Sequence, residues 1–220
     1  MKMDAAIPKK PSPPRRSLAP AASLILLALL ASVGVWFYLS QERDQRQRVA
    51  EQLASVGELK LNQILQWRTE RLADATVVAH YPTVVETLRQ AARLGPRLEV
   101  SDHLRVLLRS VKEAYRYDDV LLAEPRGGVV YSVAGAAKTL NGEALGTMKS
   151  ALGDGKPLLT DLHAGEVSGK PHVSAIAPVQ GAGAGDAEPL GAVVLVSLAE
   201  DFLYPLIQSW PLPSRSAETL

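Results

Sequence analysis

Between Tyr115 and Ser174 the sequence holds side chains whose types and spacing suit a small polar molecule. Tyr115, Arg116, Tyr117, Asp118 and Asp119 are consecutive. Aromatic rings give walls and a floor for a cation, a guanidinium clamps a carboxylate through two parallel bonds, and carboxylates hold an ammonium group. Together they fit a small zwitterion or carboxylate. His172, Ser174 and Ile176 share one face of a strand by the period of two, and Tyr131 is placed to look into the same space. A plainer reading stands beside this one. Tyr115 and Tyr117 could pack under a sheet, and Asp118 with Asp119 could be a solvated turn.

Other chemistries are less well supplied. Asp161, His163 and His172 could converge if Asp161 ends one strand and His172 opens the next, and two imidazoles with a carboxylate suit zinc or nickel. That spacing is not diagnostic, so no metal is assigned. There is no cysteine, which removes thiolate catalysis, Fe–S clusters and cysteine zinc sites, and there are only four histidines. No Gly-x-Ser-x-Gly elbow is present, so the Ser, His and Asp inventory displays no triad. Gly181, Gly183 and Gly185 alternate with alanine, but no helix with Lys-Ser/Thr follows, which favours a flexible loop over a phosphate cradle. Neither an enzyme nor a cofactor is expected on this chain.

These groups must be positioned by a fold that begins at a membrane. Leu18 to Leu39 is a run of 22 residues without charge. At about 1.5 Å of rise per residue it spans roughly 33 Å as a helix, enough for a bilayer core. Lys2, Lys9, Lys10, Arg15 and Arg16 precede it against Asp4, while acids and bases balance after it. The positive-inside rule puts the N-terminus in the cytoplasm and residues after 40 in the periplasm or outside the cell. Trp36, Phe37 and Tyr38 sit where an outer aromatic belt belongs. The competing cleaved signal peptide has a shorter apolar region and needs a small-x-small site, which does not follow Leu39. The net charge of +1 and pI of about 8.0 suggest no nucleic-acid partner, and no basic stripe interleaved with aromatics appears.

From Gln41 to about His80, Val49, Leu53, Val56, Ile64, Trp67, Leu72, Ala75 and Val78 recur at helical spacing. Trp67 is expected to bury against a sheet. Arg68, Glu70, Arg71 and Asp74 offer either rod-to-rod salt bridges in a homodimer or surface pairs worth about 0.3–0.5 kcal/mol each. Pro82 breaks the pattern. Helices follow over 83–94 and 100–115, the second capped by Ser101 or Asp102. The period then changes to that of strands over 119–124 and 129–133, joined by a Pro-Arg-Gly-Gly turn. A short helix or turn region over 142–152 and strands over 158–161, 171–179 and 190–198 come next, the last of them apolar enough to be central. A closing helix over 199–210 contains Pro205. The fold class is therefore α+β, an antiparallel sheet with helices on one face.

This order resembles the extracytoplasmic Cache (PAS-like) sensor regions of bacterial receptors. Trp67 to Ala75 carries a W-x-x-E-R-x-x-D-A pattern ahead of His80-Tyr81-Pro82, similar to the juxtamembrane helix of such sensors. Pro157 to Asp161 with Ser174 to Val179 resembles their late sheet, and Trp210 to Leu220 resembles a segment of histidine-kinase sensor regions. Composition and periodicity give a disordered basic tail over 1–17, a transmembrane helix over 18–39 and a long helix over 40–82, and the resemblance implies a Cache-like domain over 83–210 and the start of a continuation over 211–220. It implies a ligand between the sheet and its distal loops, with an Asp near Asp161 among the contacts, which completes the candidate set of Tyr115, Arg116, Tyr117, Tyr131, Asp161, His172 and Ser174. It further implies the input end of a longer receptor, with a histidine kinase, diguanylate cyclase or methyl-accepting region as output. The expected partners are an organic acid, amino acid or amine, the bacterial inner membrane, and a second copy along the long helix. An anchored protein-interaction module and an anchored exported enzyme are the alternatives.

Overall fold

The computed structural model describes residues 19–95, 98–135, 137–140, 142–165, 169–181 and 188–209. The basic tail, Gly183 and Gly185, and the stretch from Trp210 to Leu220 lie outside the described residues. The chain divides into two units, Met1–Ser55 and Val56–Leu220, and helix α1 (Ala19–Ala79) contributes to both.

In the first unit α1 is long and apolar enough to cross a membrane. Its side chains from Leu24 to Leu39 are exposed, so the protein itself offers them no apolar surroundings. Beyond them Arg46 pairs with Glu42 one turn back at 2.6 Å.

In the second unit α1 is followed by α2 (Pro82–Leu94), α3 (Asp102–Tyr115), β1 (Asp119–Ala123), β2 (Val129–Ser132), α4 (Gly142–Asp154), β3 (Leu158–Leu159), β4 (His163–Ala164), β5 (Pro171–Val179), β6 (Gly191–Leu198) and α5 (Ala199–Gln208). Local chemistry sets several of these boundaries. Pro82 opens α2, where its missing N–H is no loss, and Tyr81 before it is extended. Ser101 caps α3 by accepting from the Leu104 N–H. The β1–β2 hairpin closes through the Glu124 N–H to the Gly128 carbonyl at 2.8 Å, with Gly127 at a φ of 95°.

The strands form one antiparallel sheet in the order β2-β1-β6-β5-β3, with β4 also paired to β5. β6 is central, as its apolar run predicts. Register sorts the sheet into two faces. Val120, Leu195 and Ala175 form one row, and Leu122, Val193 and Ala177 the next. This face packs on Ala75, Val78, Val84, Leu88, Leu104 and Leu108 of α1 to α3. Full burial of a leucine such as Leu88 or Leu104 contributes roughly 2–3 kcal/mol. The opposite face carries Leu121, Val194 and Ile176 in a row, against Leu140 and, from α4, Met148 and Ala151. Three helices thus cover one face, while α4 lies on the other and covers part of it.

Two placements differ from expectation. Trp67 stacks on Phe202 of α5, ring centres 3.6 Å apart, instead of on the sheet. Lys60 fixes the same helix from its other end, donating to the carbonyls of Leu206 and Ser209 and to Ser209 Oγ. β4 has no local signal in the sequence and exists through its pairing with β5.

Candidate functional site

A cavity of about 460 Å³ lies on the α4 face of the sheet, within the size range of small-molecule sites. β1, β6 and β5 supply its floor through Asp119, Leu121, Val194, Val196, Ser174 and His172. Ala134, Ala137 to Leu140 and the first turn of α4 border it, and His163 to Gly165 form one side. Strand alternation explains the floor, since Asp119 and Leu121 on β1 share a face with Val194 and Val196 on β6 and with Ser174 and Ile176 on β5.

The polar groups in this cavity are of two kinds. Asp119 is 7% exposed and committed to structure. Its Oδ1 accepts from the N–H groups of Val120 (2.8 Å) and Ala134 (2.9 Å), and its Oδ2 from Ser132 Oγ (2.6 Å). It holds the chain that leaves β2 over the cavity. Asp118 is half-buried, and its carboxylate makes no hydrogen bond among the described residues. Ser174 is 1% exposed. Its N–H donates to Thr160 Oγ1 at 2.8 Å, and the residue lines the cavity floor. Charge in the lining is unbalanced, with Asp118, Asp119 and Glu143 against Lys138.

His163 and His172 are directly paired across β4 and β5, with ring centres 4.2 Å apart. Burial pushes the His172 imidazole below its ordinary pKa, and the neighbouring His163 acts the same way, while the bond to the Lys170 carbonyl and the charge of Asp118 oppose. Lys170 donates to Glu200 at 2.6 Å, and that bond raises the ammonium pKa.

Of the seven candidate residues, His172 and Ser174 line the cavity. Tyr131 does not look into it. Register places it beside Leu122, on the face that meets α1 to α3. Tyr117 is 3% exposed on that same side. Its hydroxyl donates to Asp74 Oδ2 at 2.7 Å, and the Arg71 guanidinium lies 5.2 Å from its ring centre and 3.2 Å from Asp74. The acids and arginines of the long helix therefore include a pair that serves its own sheet. Tyr115 is 52% exposed at the end of α3, tilted against Tyr117. Arg116 is exposed and left-handed (φ 57°), ending α3 by turning the chain toward β1. Asp161 is exposed, and its carbonyl, not its carboxylate, meets His163. Among the described residues no three His, Asp or Glu side chains gather as a metal centre. Sequence reasoning misses Lys138 and Glu143, because their place beside the sheet depends on the closed fold. It singles out Asp118 and Asp119 in the aromatic and acidic run, and His163 only as part of a metal set with Asp161 and His172.

No protein-family model matches the sequence, and no curated protein matches it. Solved structures do. The sensor domain of the V. cholerae histidine kinase DctB superposes with a TM-score of 0.56 at 18% identity, covering 70% of this chain and 58% of that one. The ligand-binding domain of the Pseudomonas aeruginosa amino-acid chemoreceptor PctB, in complex with L-Arg, gives 0.52 at 12% identity, covering 71% and 56%. That of the Pseudomonas fluorescens chemoreceptor CtaA, in complex with L-serine, gives 0.50 at 16%, covering 74% and 64%. The chain spans less than two thirds of the length of each. At these identities the likeness is one of fold, and that fold is the helix-backed antiparallel sheet of the Cache (PAS-like) sensor domains of bacterial receptors.

Proposed function

We propose that this chain is the small-molecule-sensing input region of a membrane-anchored bacterial signal-transduction receptor of the two-component sensor-kinase type. The carrying observation is the cavity on the α4 face, lined by the half-buried Asp118 together with Ser174 and His172. Three carboxylates against Lys138 favour a ligand that brings an ammonium group, an amine or amino acid ahead of a simple organic acid. Solved domains of the same fold hold L-Arg and L-serine. A concave cavity of this size also weighs against a pure protein-interaction module, which would present a broad apolar patch instead.

The apolar part of α1 anchors the chain in the inner membrane, N-terminus inside, on the strength of the basic residues before it. α1 continues to Ala79, whose neighbours Ala75 and Val78 lie under the sheet. Occupancy favours one arrangement of sheet against helix, and the response is bounded by the ligand's differential affinity for the two arrangements. A second copy pairs along the long helix, where Leu61 and Leu65 are exposed one turn apart. The chain itself does no chemistry, and any kinase activity belongs to an output region.

The test is a thermal-shift screen of the full chain in detergent against amino acids, amines and organic acids. A ligand at one hundred times its dissociation constant stabilises by about 2.7 kcal/mol, a readily visible shift. Ser174→Leu fills the cavity and abolishes the shift. Silence across the panel from well-folded protein refutes the sensing reading.

A further inference from the structure

We propose that His163 and His172 form a two-imidazole binding site for a divalent transition-metal ion of the zinc, nickel and copper class. The site does not depend on the organic-ligand reading, and nothing in the fold requires the two to occur together.

The tautomers carry the inference. His163 Nδ1 lies 2.8 Å from the Asp161 carbonyl, and His172 Nδ1 lies 3.3 Å from the Lys170 carbonyl. A carbonyl oxygen only accepts, so each Nδ1 carries the proton and each neutral ring presents its lone pair at Nε2. Metal-ligating histidines are held in this way, with the second ring nitrogen donating to a carbonyl or carboxylate that fixes the ring. Here two such rings stand side by side on paired strands. Each anchoring carbonyl comes from the residue two positions earlier in the chain, just ahead of the histidine's strand, so the same arrangement occurs twice.

The surroundings agree. Asp118 and Glu143 line the same cavity and place negative charge near a cation, with Lys138 opposing them. The ring centres lie 4.2 Å apart with the planes inclined by 58°. Imidazole nitrogens bind zinc at about 2.1 Å, so a tetrahedral ion needs the two Nε2 atoms about 3.4 Å apart, which the rings reach by moving apart by about 1 Å on their exposed side. Two protein ligands leave further positions open to water or to a carboxylate entering the cavity. The chain has no cysteine, so no thiolate competes for a soft ion.

The test is titration of the full chain in detergent with ZnCl2 and CuCl2, followed by calorimetry and, for copper, electron paramagnetic resonance. One equivalent should bind, and the copper spectrum should show two equivalent nitrogens. His163→Ala and His172→Ala should each weaken binding at least about tenfold, while His103→Ala, at an exposed position of α3, leaves it unchanged. If the alanine variants fail to fold, the imidazole ¹⁵N spectrum of the unaltered protein decides, because zinc should shift the Nε2 signals of two of the four histidines. No binding at millimolar metal, equal binding by the variants, or Nε2–H tautomers in both rings would overturn the site. Each of these outcomes leaves the amine and amino-acid screen unaffected.

Discussion

The Tyr117 hydroxyl donates to Asp74 Oδ2 across 2.7 Å, joining the chain just ahead of β1 to the long helix. A buried hydrogen bond to a charged acceptor contributes about 1.5–3 kcal/mol. Asp74 keeps Arg71 as a partner, so Tyr117→Phe should cost toward the lower figure. Tyr115→Phe, on an exposed ring, should change stability by less than about 0.5 kcal/mol. Urea denaturation of the two variants reads the contrast, and equal midpoints would remove the joint.

The same bond sets an alkaline limit. Burial, reinforced by the bond to Asp74, pushes the Tyr117 phenol well above its usual pKa, against the opposing charge of Arg71. Below about pH 10 the phenol is protonated in both folded and unfolded chains, and its contribution is fully present. Above that pH the unfolded chain loses the proton and the folded one retains it, so stability falls as pH rises. Melting temperatures measured from pH 8 to 11 should decline more steeply in the native protein than in Tyr117→Phe.

Asp118 and Asp119 should separate cleanly. Asp119→Ala leaves two backbone N–H groups and the Ser132 hydroxyl without their acceptor and should destabilise by about 2–3 kcal/mol. Asp118→Ala should stay within about 0.5 kcal/mol in urea, yet lose the stabilisation that an amine ligand confers. A stable Asp119→Ala would mean that the Ala134 segment is held by something else.

Gly191 opens β6 at a φ of 150°, and a Cβ there would fall 2.2 Å from the Ala123 carbonyl oxygen. Backbone cannot yield as a side chain can, so Gly191→Ala should lower the melting temperature by several degrees. Gly153→Ala, in open space on α4, should leave it unchanged or raise it slightly.

What could be read ahead of the structure was what is locally encoded. Ser101 marks the start of α3, Pro82 the start of α2, and the apolar run from Gly191 to Leu198 the central strand. The fold followed from the order of these elements and from the resemblance of the Trp67 to Ala75 stretch. What could not be read depends on register. Period two says that Tyr131 alternates but not to which side, and the pairing with Leu122 turns it toward the helices, next to an irregularity at Leu122 and Ala123. β4 is two residues long and has no pattern of its own. Trp67 finds Phe202 only once the chain has returned from the sheet.

β1, β6 and β5 present one set of side chains to the cavity and the alternate set to α1 to α3. Only a single ply of peptide separates what diffuses in from what is anchored. A guest that wedges against Val194 strains Val193 and Leu195 directly on the reverse, with no relay of intervening contacts. Under the proposed sensing function, responsiveness would be governed by the bending stiffness of three ribbons, and softening or bracing that partition should retune the response without altering a single contact to the guest.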